Sequence, residues 1–142
     1  MRLYPRLAAL AITAALILPV PPLAAQEAFP DLRGAWSGTG WGAVSGQLQH
    51  VNPTAGPEIR NPTVLWTLTI TKQDGGGLIG TWSSPSRSET LIGAVRANRE
   101  SVVFVDEDSY FSGTLLSDTE MELCLQETGK SMVAVCFVLR RQ

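Results

Sequence analysis

One histidine and two cysteines stand in a chain of 142 residues, and that scarcity closes several routes to chemistry. His50 has no second histidine and no nearby thiolate, so a catalytic zinc site lacks ligands and a Ser-His-Asp triad would rest on this one ring. No Gly-x-Ser-x-Gly elbow and no Ser-x-x-Lys pair supplies an activated serine. His50 therefore reads as a surface histidine, and Cys124 and Cys136 lack the Cys-x-x-Cys spacing of a redox site. There is no Lys/Arg stripe, which points away from nucleic acid. Gly38-Thr39-Gly40-Trp41-Gly42 is glycine-rich but has neither the lysine nor the following helix of a phosphate loop. Asp106-Glu107-Asp108, the densest acidic run, lacks the six or more oxygens and the glycine turn of a calcium loop and reads as a solvated hairpin tip. No catalytic residue, metal or cofactor is expected.

Only one long hydrophobic run exists, and it lies at the front. Leu7 to Val20 follows the basic Arg2 and Arg6 and precedes Leu23-Ala24-Ala25, the pattern of a cleaved secretory leader over residues 1–25. The run falls short of the ~20 apolar residues that span a bilayer, and Pro19, Pro21 and Pro22 end it. Residues 26–142 are then expected to form a single periplasmic or secreted domain, free of the membrane once the leader is removed. That part carries nine basic and thirteen acidic side chains, a net charge of −4. Arg140-Arg141 reads as a solvated tail.

Helical periodicity is also missing beyond the leader; what is there alternates with period two. Val64, Trp66, Leu68 and Ile70 share one face of a strand whose other face is rich in threonine. A three-residue loop, Asp74 to Gly76, then pairs Leu68 with Trp82 and Ile70 with Gly80, which keeps both apolar sets on one side. Further strands are expected at Leu78–Ser84, Glu89–Arg96, Ser101–Val105, Ser109–Leu116, Glu120–Gln126 and Met132–Arg140, after an opening strand at Leu32–Thr39 and a second at Val44–His50. Glycine recurs two residues from a large apolar group at Gly34, Gly80, Gly93 and Gly113, on the face that should be packed. A strand interior avoids glycine unless it bends sharply or another backbone comes close. The expectation is an all-β fold, a small antiparallel up-and-down barrel of about eight strands. The segment Gly40 to Pro62, proline-rich after His50, breaks the rhythm and reads as a long surface loop.

Two registers suit the last hairpin. A tight loop at Glu127-Thr128-Gly129 leaves the sulfurs out of step, whereas a wider loop, Thr128 to Met132, sets Cys124 opposite Cys136. A disulfide there is worth ~3 kcal/mol against ~1 kcal/mol for the better placed glycine, so the bridged register is favoured over two reduced thiols. Trp36, Trp66, Trp82 and Phe111 fall on inward positions, where such rings either fill a barrel or line a cavity for an apolar or flat ligand. Trp41, in the glycine-rich segment, is the aromatic expected to be exposed and to touch a partner.

Gly34-Ala35-Trp36 followed by Leu78-Ile79-Gly80-Thr81-Trp82 resembles the Gly-x-Trp opening and Leu-x-Gly-Thr-aromatic strand of calycin barrels, the lipocalins and avidins. The stretch Thr67 to Ser84, with Val105 to Asp108, Gly113-Thr114-Leu115 and Glu122-Leu123-Cys124, is similar to a group of small exported bacterial proteins of unknown function. The calycin resemblance implies an up-and-down barrel that binds a small ligand in its mouth. An avidin-type biotin site would need a later tryptophan and a later aspartate than this chain has. The functional expectation is an exported, non-enzymatic binding protein for a small apolar ligand. The alternative is a protein-binding barrel, such as a hydrolase inhibitor, acting through the 40–62 loop with Trp41 as its wedge.

Overall fold

The computed structural model describes residues 28–61 and 64–142; the expected leader, with Pro62 and Thr63, lies outside the described residues. The alternation of apolar and polar side chains becomes nine antiparallel strands: β1 (Gly34–Gly46), β2 (Thr54–Arg60), β3 (Trp66–Asp74), β4 (Gly77–Ser83), β5 (Ser88–Val95), β6 (Ser101–Val105), β7 (Ser109–Ser117), β8 (Glu120–Glu127) and β9 (Ser131–Arg141). No helix occurs among the described residues. β3 to β9 follow one another around the wall, and β1 closes it by pairing with β3 on one side and with β9 on the other. The result is a closed eight-stranded up-and-down barrel with β2 added outside the ring.

β1 makes this possible by its length. Its first residues, Gly34 to Gly38, pair with β3, while Gly42 to Gly46 pair with β2 on the same edge. The opposite edge pairs with β9 from Trp36 to Gly46. Two separate strands were expected here; the glycines between them instead carry one strand through. A Cβ at Gly38 or Gly42 would lie 2.0 or 2.1 Å from a β9 carbonyl oxygen, and one at Gly40 2.4 Å from the Phe137 ring, so only glycine permits this approach. Gly80, Gly93 and Gly113 act in the same way, whereas Gly34 is exposed at a φ of +119° and turns the chain into β1.

The expected strands from Leu78 onward fall within a residue of those observed. Leu68 faces Trp82 and Ile70 faces Gly80, as the face argument required, but the β3–β4 turn is tighter than expected. Asp74 pairs with Gly77 around a two-residue turn with Gly75 at φ +54°, and a bulge at Thr71 takes up the odd residue. Two expectations fail. Residues 54–60 of the supposed loop form β2: it is an outer strand with a register shift beside Pro57, where a missing N–H is tolerated. Arg140 and Arg141 are not a tail. They end β9, with Arg140 paired to Glu120 at 3.0 Å and the Arg141 guanidinium 4.8 Å over the Trp36 ring.

The interior rings do face inward, and of the two alternatives most of them fill the barrel. Trp36, Trp82, Phe104, Phe111 and Phe137 are fully buried together with Leu68, Leu91, Met121, Leu123 and Leu139, and they fill the barrel along most of its length. Trp82 stands edge-on to both Phe111 and Phe137, at 5.4 and 5.0 Å between centroids. One end is plugged by the segment before β1. Leu32 is buried in the core, its N–H donates to Gln73 Oε1 at 2.8 Å, and Gln73 Nε2 donates to Pro30 O. Trp36 Nε1 donates to Leu32 O at 2.9 Å, so the large ring satisfies its polar atom within the plug.

Candidate functional site

The other end of the barrel holds a cavity of about 100 Å³. Its floor is Trp66 and Phe137, its walls Leu125, Val133, Val135 and Val44, and Gly40 leaves the gap that a side chain would occupy. Trp66 stacks on Trp82 at 5.1 Å with an interplanar angle of 15° and meets Phe137 edge-on at 5.6 Å, so the floor is the top layer of the packed core. Of the aromatics singled out in the sequence, Trp66 alone lines this cavity. Trp36, Trp82 and Phe111 pack beneath it or toward the plugged end, and Trp41 lies elsewhere. Trp41 is 47% exposed on the outer wall, on β1 opposite Cys136, and does not sit on a loop tip.

Residues 47–53, between β1 and β2, cross the mouth as its roof. Gly46, at φ +98°, turns the chain off β1, and its N–H donates to Thr54 Oγ1 at 3.0 Å, so the segment leaves and returns at one point. Leu48, His50 and Val51 turn toward the cavity, while Gln47 and Gln49 reach the rim.

His50 is not a surface residue: its side chain is 12% exposed, and both ring nitrogens are bonded. Nε2 meets Glu89 Oε2 at 2.7 Å and Nδ1 meets Ser84 Oγ at 3.0 Å. The carboxylate can only accept, so in the neutral ring Nε2 carries the proton and Nδ1 accepts from the Ser84 hydroxyl. The imidazole also lies 4.9 Å from the Trp66 ring. Glu89 is held in turn by Arg87 Nε at 2.6 Å. Sequence reading missed this role because the partners are 34 and 39 residues away and meet His50 only after the barrel closes. The one available signal was that His50 alternates with Leu48 and adjoins Val51.

The rim is acidic. Carboxylate oxygens of Glu89, Asp106 and Asp108 lie within 4.8 Å of one another. Asp106 is committed through Oδ1 to the Ser109 N–H and hydroxyl, and Asp108 accepts from Gln49 Nε2. Burial pushes the Asp108 carboxyl above its ordinary range, with Asp106 and Glu89 adding to the shift and Arg87 and His50 opposing it. Burial likewise raises Glu127 at the cavity wall, where a Ser131 hydrogen bond works against the shift and the same three acids add to it. The acidic run is the β6–β7 hairpin tip, as expected: Glu107 and Asp108 are exposed, and only Asp106 is half-buried at the edge of the mouth.

Cys124 and Cys136 form a disulfide, set directly opposite each other as the wider register required, with Leu123 opposite Phe137 and Leu125 opposite Val135. The bridge is compatible with an oxidising periplasmic or extracellular location. Comparison with protein-family models, curated proteins and solved structures finds no match to this chain.

Proposed function

We propose that this protein is an exported, calycin-like barrel that binds a small apolar ligand, or the apolar end of a larger one, in the cavity beneath residues 47–53. The observation that carries this reading is the cavity floor: Trp66 and Phe137 with aliphatic walls, next to a few polar groups that can orient a guest. Its volume of about 100 Å³ sets the scale. Cavities of ~150 Å³ accept benzene, whereas drug-sized ligands need ~300–1,000 Å³. The guest is therefore a short branched chain, or a single ring of which part stays at the mouth. Ser84–His50–Glu89 has the hydrogen-bond order of a hydroxyl–imidazole–carboxylate triad. The reading is non-enzymatic because the Ser84 oxygen is also engaged by the Ser86 N–H and hydroxyl, and Ser86 in turn holds the His50 carbonyl, so the group supports the roof.

Fluorescence in a Trp41→Phe background reports occupancy through Trp66, since Trp36 and Trp82 are buried and do not line the cavity. Titration with single-ring aromatics and short branched aliphatics should give a saturable change that Val135→Trp, which fills the cavity, abolishes. A response that survives Val135→Trp removes this reading. A second reading, a protein-binding barrel, draws on the exposed Trp41 and on Ile59, which is 83% exposed. Both lie on the outer wall at β1 and β2, so that partner would be lost in Trp41→Ala with ligand binding unchanged.

A further inference from the structure

The two ends of the barrel are closed by different means. The plugged end is sealed by apolar packing around Leu32 and Trp36. The roof over the cavity is held by polar contacts made at its far side, with partners drawn from three separate connections. Ser84 and Ser86 follow β4 and Glu89 opens β5; Asp108 belongs to the β6–β7 connection; Ser131 begins β9. Ser131 Oγ donates to Gln47 O, Gln49 Nε2 to Asp108, His50 reaches Ser84 and Glu89, and Ser86 Oγ donates to His50 O at 3.1 Å. The contacts of Gln49 and His50 cross the mouth, whereas Ser131, the ladder partner of Gly46, holds the strap at its base. Together they fasten one short segment whose two ends are anchored side by side at Gly46 and Thr54.

We infer that residues 47–53 are a hinged strap that gates the cavity, with the His50–Glu89–Ser84 contact as its clasp. Several features of the chain fit a strap that opens. Hydrogen bonds exchange readily with water, whereas apolar burial must be undone as a whole, so a polar clasp can release without unfolding the wall. The hinge is the Gly46–Thr54 base, where a positive φ at Gly46 is available only to glycine without strain. A Cβ at Gly46 would stand 2.3 Å from Lys130 O, so the hinge sits against the β8–β9 connection in a place that only glycine fits. The inner side of the strap carries Leu48, His50 and Val51 to the cavity, so release of the clasp uncovers the Trp66 floor.

The gate matters for function only on the ligand reading above, yet its motion is measurable with no ligand present. In the Trp41→Phe background, acrylamide quenching of Trp66 reads the roof, and Trp66→Phe in the same background confirms the emitter. Glu89→Ala and Ser84→Ala remove the clasp while leaving the imidazole that covers Trp66. Each should at least double the quenching constant and speed amide exchange over residues 47–53 about ten-fold, the loss of one hydrogen bond, with exchange in β3 to β9 unchanged. Unchanged quenching and exchange in both variants would overturn the gate. So would exchange that rises throughout the barrel, which would make the contact part of the fold rather than a clasp. If quenching and exchange rise as expected but no compound binds, the gate stands and the ligand reading falls. If a compound binds as fast to the wild type as to both variants, the cavity reading stands and the gate falls.

Discussion

The plug and the roof close the same barrel, and their difference separates what holds this protein together from what it can offer a guest. At the plug, Leu32 and Trp36 are buried in the core, their polar atoms are satisfied nearby, and Arg141 covers the indole face while donating to Asp31 O and Arg33 O. At the roof, a floor of rings meets a strap held by side chains that water can replace. On the ligand reading proposed above, that division lets a small barrel present a site without loosening its core.

The sharpest way to break this contrast is at the plug. Trp36→Ala removes a fully buried ring and should cost ~3–5 kcal/mol; thermal or urea unfolding should show the whole barrel destabilised in one cooperative transition. A loss confined to local exchange near residues 28–36 would mean that the plug is not part of the core. The disulfide comes next. Replacing Cys124 and Cys136 with serine frees the β8–β9 hairpin in the unfolded chain and should lower stability by ~3 kcal/mol, measured by urea unfolding of the double variant. A near-neutral result would show that the wall alone sets this register.

The smallest effect lies in how the two ends respond to pH. Asp31, at the plug, has its carboxyl held below the ordinary range by the Arg33 side-chain hydrogen bond at 2.7 Å, with the Arg33 backbone N–H adding to it. Its contribution is present above the ordinary carboxylate pKa and is lost as pH falls toward the lowered value. Glu127 and Asp108, at the roof, are raised, so the folded state holds their protons more tightly than the unfolded chain. Their contribution is present in acid and is lost as pH rises out of the carboxylate range into the raised values. Glu127→Gln should therefore stabilise the protein at pH 7, by roughly a few tenths of a kcal/mol once solvent screening is allowed for. The advantage should vanish near pH 4, and melting curves at the two pH values check the sign.

How much of this was legible depends on the range of the information. Strand positions from Leu78 onward, the Leu68–Trp82 pairing and the Cys124–Cys136 register could be read because period two and the matching of apolar faces act between neighbouring strands. The course of β1 through Gly38, Gly40 and Gly42 could not, because those glycines answer to β9, about a hundred residues later in the chain. Pro57 argued correctly against a central strand, but an outer strand accepts it beside a register shift. The mouth was the least legible region. His50 acquires its partners from hairpins whose ends converge only in the closed barrel; its alternation with Leu48 beside Val51 hints at an inward ring but says nothing of what that ring meets.

β2 belongs to the barrel through one edge of β1 alone, and the eight-stranded ring is complete without it. Residues 47–60 can thus lengthen, shorten or change sequence with little consequence for the ring's pairing, much as a hatch can be refitted on an intact hull. A family built on this plan could alter what it admits by exchanging that one segment, keeping Gly40 and Phe137 as a constant seat beneath it.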